Sequence, residues 1–223
     1  VKLTRTGDKT NTTSNQTQEI ASNITANNNI NINSGASITN PNNSLDKGNT
    51  NIKGNITSIN QDINIISKNN TNITALKNTA NSSSKTEGFT QSTTIGASYG
   101  DSVAQRLIES LSAQLSKRTG ESTSSSTNYT NTNLIATKGV ININSTNSDT
   151  NIIGANLNAD NITINTANNL NIESLQNTSN SKSKSKSIGA GGGSGSGSLS
   201  YNANRSESEQ NWVNDQTTII AND

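Results

Sequence analysis

Residues 149–181 read DTNIIGANLNADNITINTANNLNIESLQNTSNS, a series of short Ile- or Leu-containing pieces separated by Asn. Residues 49–82, NTNIKGNITSINQDINIISKNNTNITALKNTANS, match this stretch at a nearly constant offset. Ile52 falls on Ile152, and Ile63 falls on Ile162. Self-similarity at a fixed spacing is the signature of a repeat architecture, so the chain is predicted to be a repeat protein.

The composition favours a thin, strand-rich structure over a globular one. Only 27% of the residues are hydrophobic, 14% are charged, and the formal net charge is +1. Disordered chains usually combine low hydrophobicity with high net charge or abundant Pro, whereas this chain has one Pro and takes its polarity from Asn, Ser and Thr. Ile supplies most of the apolar side chains, and β-branched residues suit strands.

Several classes of chemistry are excluded by residues that the chain lacks. It contains no Cys and no His, which removes disulfides, thiol nucleophiles, His-based triads and nearly all zinc sites. The near-neutral charge argues against a nucleic-acid partner, which would require a concentrated basic face. We therefore predict no metal and no cofactor.

A shorter period runs inside each copy of the repeat. Ile141 and Ile143 recur further along as Ile162 and Ile164, and Ile152 recurs at nearly the same spacing as Ile172. Pairs of apolar residues with period 2, spaced about 20–21 residues apart, fit the coils of a parallel β-helix. The predicted core is Ile30, Ile32, Ile52, Ile63, Ile65, Ile73, Leu76, Ile141, Ile143, Ile152, Ile162, Ile164, Leu170, Ile172 and Leu175.

A second internal match extends the repeat towards the N-terminus. Its offset is larger than the first and places Ile24 on Ile135, Ile30 on Ile141 and Ile32 on Ile143. The difference between the two offsets predicts an insertion in the first copy, placed at residues 38–48. The predicted organisation is 1–19, the end of a preceding arm; 20–77, β-helix repeat 1; 78–132, arm 1; 133–176, β-helix repeat 2; 177–216, arm 2 with a Gly-rich tip; and 217–223, the start of repeat 3.

Arm 1 contains a segment with helical spacing. Apolar residues in DSVAQRLIESLSAQLSKRTG, residues 101–120, recur at intervals of about four. Asp101 or Ser102 suits an N-cap, and Gly120 suits the C-terminal end. A helix is therefore predicted at 102–118. Its apolar face consists of Val103, Leu107, Ile108, Leu111 and Leu115.

The remaining motifs favour structural roles. Residues 189–197, GAGGGSGSG, match neither G-x-G-x-x-G nor a phosphate-binding loop, so they are predicted to form a hairpin tip or linker. Lys182, Lys184 and Lys186 share one face of a strand and are predicted to pair with acids on the returning strand, Glu207 among them. Asp62 and Asp160 occupy equivalent repeat positions, which indicates corner residues and not a catalytic pair. We predict that the chain is not an enzyme.

Taken together, these motifs resemble a known family. Residues 167–208, ANNLNIESLQNTSNSKSKSKSIGAGGGSGSGSLSYNANRSES, resemble the haemagglutinin repeats of filamentous-haemagglutinin-like exoproteins, and so do residues 69–100. The strongest elements are the junction of a strand with Leu-x-Asn-Thr-Ser/Ala, the Ser/Lys segment and the Gly-rich turn. The resemblance covers nearly the whole chain. The family includes the contact-dependent growth inhibition effectors of Gram-negative two-partner secretion.

The resemblance implies an all-β, right-handed parallel β-helix with protruding β-arms. It implies secretion to the surface of a Gram-negative bacterium, with export of the unfolded chain through an outer-membrane two-partner transporter. The segment would be monomeric and would help to deliver a toxin into neighbouring bacteria. A target-cell outer membrane or a surface receptor is then the expected partner. The alternatives are the shaft of a filamentous adhesin and, as a minor option, a polysaccharide-active β-helix enzyme.

Overall fold

The computed structural model describes residues 1–35, 48–97 and 108–222, and it contains strands and no helix within these ranges. No described segment is therefore a helix long and apolar enough to cross a membrane. The strands are β1 (Lys2–Thr17), β2 (Ser22–Ala26), β3 (Ile30–Ser34), β4 (Thr50–Ile52), β5 (Gly54–Ser58), β6 (Ile63–Ser67), β7 (Thr71–Thr74), β8 (Leu76–Ala97), β9 (Ile108–Thr130), β10 (Thr132–Ser145), β11 (Thr150–Ile153), β12 (Ala155–Thr166), β13 (Leu170–Glu173), β14 (Asn177–Gly193), β15 (Ser196–Trp212) and β16 (Thr218–Ala221).

The chain divides into two compact units, each assembled from three separate stretches. The sheet unit consists of Val1–Gln16, Ala80–Ser126 and Ser179–Gln210. The ladder unit consists of Thr17–Thr79, Thr127–Thr178 and Asn211–Asp223.

The ladder unit is built from parallel strands. One sheet has the order β16-β12-β10-β5-β2, with β3 pairing β6 and β6 pairing β10; a second sheet has the order β13-β11-β7-β4. Successive layers follow one another along the chain, namely β2 to β4, β5 to β7, β10 and β11, β12 and β13, and then β16. This arrangement is consistent with a β-helix, in which each layer pairs with the next.

The pairings place like residues on like residues. The predicted recurrence of Ile141, Ile143 and Ile152 in the following layer is confirmed, because each pairs with its expected counterpart. The aligned sets are Ile30, Ile63, Ile141 and Ile162; Ile32, Ile65, Ile143 and Ile164; and Ile52, Ile73, Ile152 and Ile172.

One predicted alignment is wrong by a single residue. Ile24 pairs with Ile56, and Ile56 pairs with Leu134, so Ile24 aligns with Leu134 and not with Ile135. The stretch from Leu134 to Ile141 is one residue longer than the stretch from Ile24 to Ile30. A shift of one residue moves a side chain to the other face of a strand. Leu134 is accordingly buried, whereas Ile135 is exposed.

Most of the predicted core side chains lie inside the ladder unit. The buried ones are Ile30, Ile52, Ile63, Ile65, Ile73, Leu76, Ile141, Ile143 and Ile152. Ile32, Ile162, Ile164 and Leu175 are partly buried. The prediction is wrong for Leu170 and Ile172, which are exposed because β13 is an edge strand whose neighbour in the sheet is β11. The core also contains residues that the prediction omitted, namely Ile56, Ala75, Leu134, Ala136, Ala155, Leu157 and Ala159.

The sheet unit is a single sheet with the order β1-β8-β9-β14-β15. The Thr10 hydroxyl contacts that of Thr86, and the Thr12 hydroxyl donates to that of Ser84, so β1 and β8 run antiparallel. β14 and β15 form a hairpin whose turn contains Gly195, with φ of 89°, a backbone conformation that favours glycine. The predicted hairpin tip within residues 189–197 is thus present.

The predicted helix at 102–118 is wrong over residues 108–118, which belong to β9. Leu111 and Leu115 are four residues apart, an even spacing that puts them on one face of a strand as readily as on one face of a helix. Ala113 lies between them and continues the strand period of 2. Val103 and Leu107 lie outside the described residues, as does the predicted insertion at 38–48 apart from Gly48.

Candidate functional site

A chain of hydroxyl groups runs through the interior of the ladder unit. Ser34 and Thr50 are joined at 2.7 Å, and Ser67 donates to Thr50 at 2.6 Å. Thr71 donates to Ser67 at 2.8 Å, Ser145 donates to Thr71 at 2.8 Å, and Ser145 and Thr150 are joined at 2.8 Å. A hydroxyl has one donor and two acceptor positions, so a row of hydroxyls can satisfy its own members. Among the described residues, no buried side-chain polar atom is without a partner.

The fourth layer ends the hydroxyl chain. Leu170 pairs with Thr150 in the sheet and has no hydroxyl to offer. Thr166, which pairs with Ser145, donates instead to the carbonyl oxygens of Ser148 and Asn169. The recurrence of Thr-Asn-Ile at residues 50–52, 71–73 and 150–152 is the sequence signal for this row of hydroxyls, which the predicted core did not include.

Rows of Asn side chains connect the layers through their amides. The first row contains Asn23, Asn55, Asn133 and Asn156; the second contains Asn31, Asn64 and Asn142; the third contains Asn51, Asn72, Asn151 and Asn171. The donor–acceptor distances lie between 2.7 and 3.0 Å. A one-residue slip would break every such bond at once, so the Asn rows help to determine the register.

Two aspartates of the ladder unit accept hydrogen bonds from backbone N–H groups. Asp62 Oδ1 accepts a hydrogen bond from Val140 N at 2.8 Å, and Asp149 Oδ1 accepts one from Asn169 N at 2.9 Å. The register aligns Asp62 with Val140 and Asn161, so its predicted equivalence with Asp160 is wrong by one residue. Within the described ranges, no group of three or more Asp or Glu residues could hold a metal ion.

Charged side chains in the sheet unit pair along and between strands. Lys182 Nζ lies 3.7 Å from Glu207 Oε1, which is the predicted pairing across the β14–β15 hairpin. The hydrogen bond from Arg205, together with the nearby lysines, lowers the pKa of Glu207. On β8, the hydrogen bond from Lys85 lowers the pKa of Glu87. Both carboxylates are therefore held ionised by cations of the same sheet.

The chain matches the model of one protein family, described as the hemagglutinin repeat, over residues 3–190. No curated protein and no solved structure matches the chain. The repeated layers, the Ser/Lys strand and the Gly-rich hairpin all lie at least partly within the matched range. Proteins with this repeat are generally secreted or located at the cell surface. The chain therefore belongs to the hemagglutinin repeat family, as a segment of the filamentous haemagglutinin type.

Proposed function

We propose that this chain is a non-catalytic shaft segment of a secreted filamentous exoprotein, and that its layers form a right-handed parallel β-helix. One observation carries the proposal: Ile52, Ile73, Ile152 and Ile172 align across four successive layers. Each layer buries its apolar residues against the next, so stability accumulates along the stack. Such a structure suits a spacer between a cell surface and a distant domain.

We further propose that this shaft takes part in contact-dependent toxin delivery into neighbouring Gram-negative bacteria. The family membership and the sequence resemblance of residues 167–208 support this role. An outer-membrane two-partner transporter would export the chain unfolded. The absence of Cys suits that route, because no disulfide can form before export is complete.

The shaft proposal is tested by placing a charge inside the stack of the whole exoprotein. Ile143 is 1% exposed, so Ile143→Asp buries a carboxylate without a partner. Asn165→Asp adds the same charge at an exposed position of β12 and is the matched control. Limited proteolysis and electron microscopy should show a cleaved or shortened filament for Ile143→Asp alone. An intact, protease-resistant filament in both variants would contradict the shaft role.

Delivery is tested separately by co-culture with target cells that lack immunity to the toxin. Cells that display Ile143→Asp should lose growth inhibition, while cells that display Asn165→Asp at equal surface density should retain it. Inhibition that survives Ile143→Asp would contradict delivery through this segment. Binding to host or bacterial cells without growth inhibition by the unmodified exoprotein would favour the adhesin alternative.

A further inference from the structure

The register of the sheet unit follows from contacts between its strands. A Cβ on Gly120 would lie 3.9 Å from Thr86 Cβ, which aligns β9 with β8. A Cβ on Gly189 would lie 3.8 Å from Ser116 Cβ and 2.6 Å from Ser200 Oγ, which aligns β14 with both β9 and β15. Directly opposed residues share a face of a sheet, and successive residues alternate between faces.

This register gives the sheet unit two chemically different faces. One face carries Ser112, Gln114, Ser116, Gly189, Gly191, Gly193, Ser198 and Ser200, which are small or polar. The other face, here called the apolar face, carries large hydrophobic side chains from each of the five strands. They are Leu3 on β1, Phe89 and Ile95 on β8, Leu111 and Leu115 on β9, Ile188 on β14, and Leu199 and Tyr201 on β15.

The large hydrophobic residues of the apolar face are exposed within the described structure. Leu115 is 58% exposed and Leu199 is 88% exposed. Ala190 lies opposite both leucines, and the small residues beside it leave an open groove of about 610 Å³. Contiguous exposed apolar surface of this kind marks an interaction site.

Most of the cations on this face lie further from the β14–β15 turn than the leucines do. Directly opposed residues of neighbouring strands form rows across this face. The rows with the leucines lie nearest the β14–β15 turn. The row that contains Phe89, Lys117 and Tyr201 comes next, and the rows that contain Lys186 and Lys184 follow it. Arg5 stacks over the Phe89 ring at 5.7 Å from its centroid. The cations on this face outnumber the acids: they are Arg5, Lys9, Lys85, Lys117, Lys182, Lys184, Lys186 and Arg205, against Glu87, Glu121, Glu207 and Glu209.

We propose that the apolar face of the sheet unit binds an anionic lipid membrane surface. Leucine side chains would enter the boundary of the acyl chains, aromatic rings would lie at the level of the headgroups, and lysines would contact phosphates. When the sheet is tilted so that the β14–β15 turn lies deepest, this order of apolar, aromatic and cationic residues matches the layers of a membrane interface. A second copy of the chain is a poorer occupant, because packing two such faces together would oppose their lysine-rich rows.

This binding goes beyond the shaft function and does not depend on a toxin. The test is flotation of the full chain with large unilamellar vesicles of phosphatidylcholine, with and without phosphatidylglycerol. We expect binding to the anionic vesicles to be at least about tenfold tighter, because each lysine near such a surface contributes about fivefold in affinity. Equal binding to the two vesicle types, or none to either, would overturn the proposal.

Two double variants test whether the leucines of the apolar face contribute to vesicle binding. Leu111→Ser with Leu115→Ser should reduce vesicle binding at least about tenfold, since each leucine loses several buried carbons. Gln114→Ser with Ser116→Ala changes the opposite face of the same strand and should bind like the unmodified chain. If circular dichroism shows that the double leucine variant of β9 is unfolded, Leu199→Ser on β15 is used in its place.

The charge contribution has its own control. Lys184→Ser with Lys186→Ser should weaken binding about 25-fold at low salt, from about fivefold per lysine. Lys2→Ser with Lys138→Ser removes the same charge from the opposite face and from the ladder unit, and should have a much smaller effect. Equal losses in the two charge pairs would refute a defined face. A different result would identify a second copy of the chain as the occupant. In that case the unmodified chain would not bind vesicles, it would self-associate in sedimentation experiments, and Leu111→Ser with Leu115→Ser would abolish the self-association.

Discussion

Ser145 Oγ donates to Thr71 Oγ1 at 2.8 Å, although the two residues are 74 positions apart in the chain. This bond joins the hydroxyls of the second layer to those of the third. The sheet unit takes two of its strands, β8 and β9, from the stretch between these two layers. The buried hydroxyl chain thus continues across a long interruption of the sequence and ties the two layers together.

Thr71→Val tests the hydroxyl chain. Valine keeps the shape and the β-branched side chain but leaves the buried hydroxyls of Ser67 and Ser145 short of a partner. We expect a loss of about 1–3 kcal/mol in the free energy of unfolding, measured by urea denaturation. Thr163→Val, at an exposed position of β12, is the control and should change stability by less than about 0.5 kcal/mol. Equal effects would show that the hydroxyl chain does not stabilise the fold.

Ile65→Ala tests the apolar stack. Ile65 is fully buried between Ile32 and Ile143, so truncation removes contacts on both sides and leaves a cavity. We expect a loss of about 2–5 kcal/mol by the same measurement. Ile172→Ala, on the edge strand β13, should cost about 0.5 kcal/mol, near the limit for surface changes. A cost for Ile172→Ala as large as that for Ile65→Ala would contradict the observed end of the core.

Gly54→Ala tests a backbone conformation that the repeat requires. Gly54 has φ of 123°, and a Cβ would lie 2.2 Å from the carbonyl oxygen of Ser22. We expect a loss of more than about 1 kcal/mol, because both the backbone and the neighbouring strand would have to move. In Gly197→Ala, the new Cβ would lie no closer than 3.9 Å to Gly191 O, so thermal unfolding should be almost unchanged. Similar melting temperatures for the two variants would refute this role of Gly54.

Glu19→Gln tests an ion-paired carboxylate of the ladder unit. Glu19 accepts hydrogen bonds from Lys53 Nζ at 2.7 Å and from Lys77 N at 2.7 Å. The hydrogen bond from Lys53, followed by that from Lys77, lowers the pKa of Glu19 from its ordinary value of 4.5. The folded state therefore gains stability at pH values above 4.5, and this gain is lost as the pH falls through the lowered pKa.

The measurement for Glu19→Gln is the melting temperature from neutral to acidic pH. The unmodified chain should lose more stability on acidification than Glu19→Gln does, because the glutamine has no proton to gain. Glu173→Gln removes a carboxylate from an exposed position and should follow the unmodified chain. Parallel pH profiles for Glu19→Gln and the unmodified chain would contradict the proposed linkage.

Periodicity predicted the ladder better than it predicted the sheet unit. In the ladder, pairs of Ile with period 2 that recur at a nearly constant spacing leave few alternative pairings. In β9, the spacing of Leu111 and Leu115 fits a helix and a strand equally well. Pairing with the neighbouring strands β8 and β14 decided between them, and β14 comes from a distant part of the sequence. The apolar face was missed for the same reason, because it exists only when five strands align.

The sequence by itself determined that the chain is a repeat, which positions carry its isoleucines, and that it lacks thiol and imidazole chemistry. These properties depend on residue type and on spacing along the chain, which are local. Only the tertiary structure decided that Leu134 is buried instead of Ile135, that Ser145 bonds to Thr71, and that Leu170 lies at an edge. The first two depend on the register between strands, because a one-residue shift reverses the face of every side chain. The third depends on the order of the strands in the sheet.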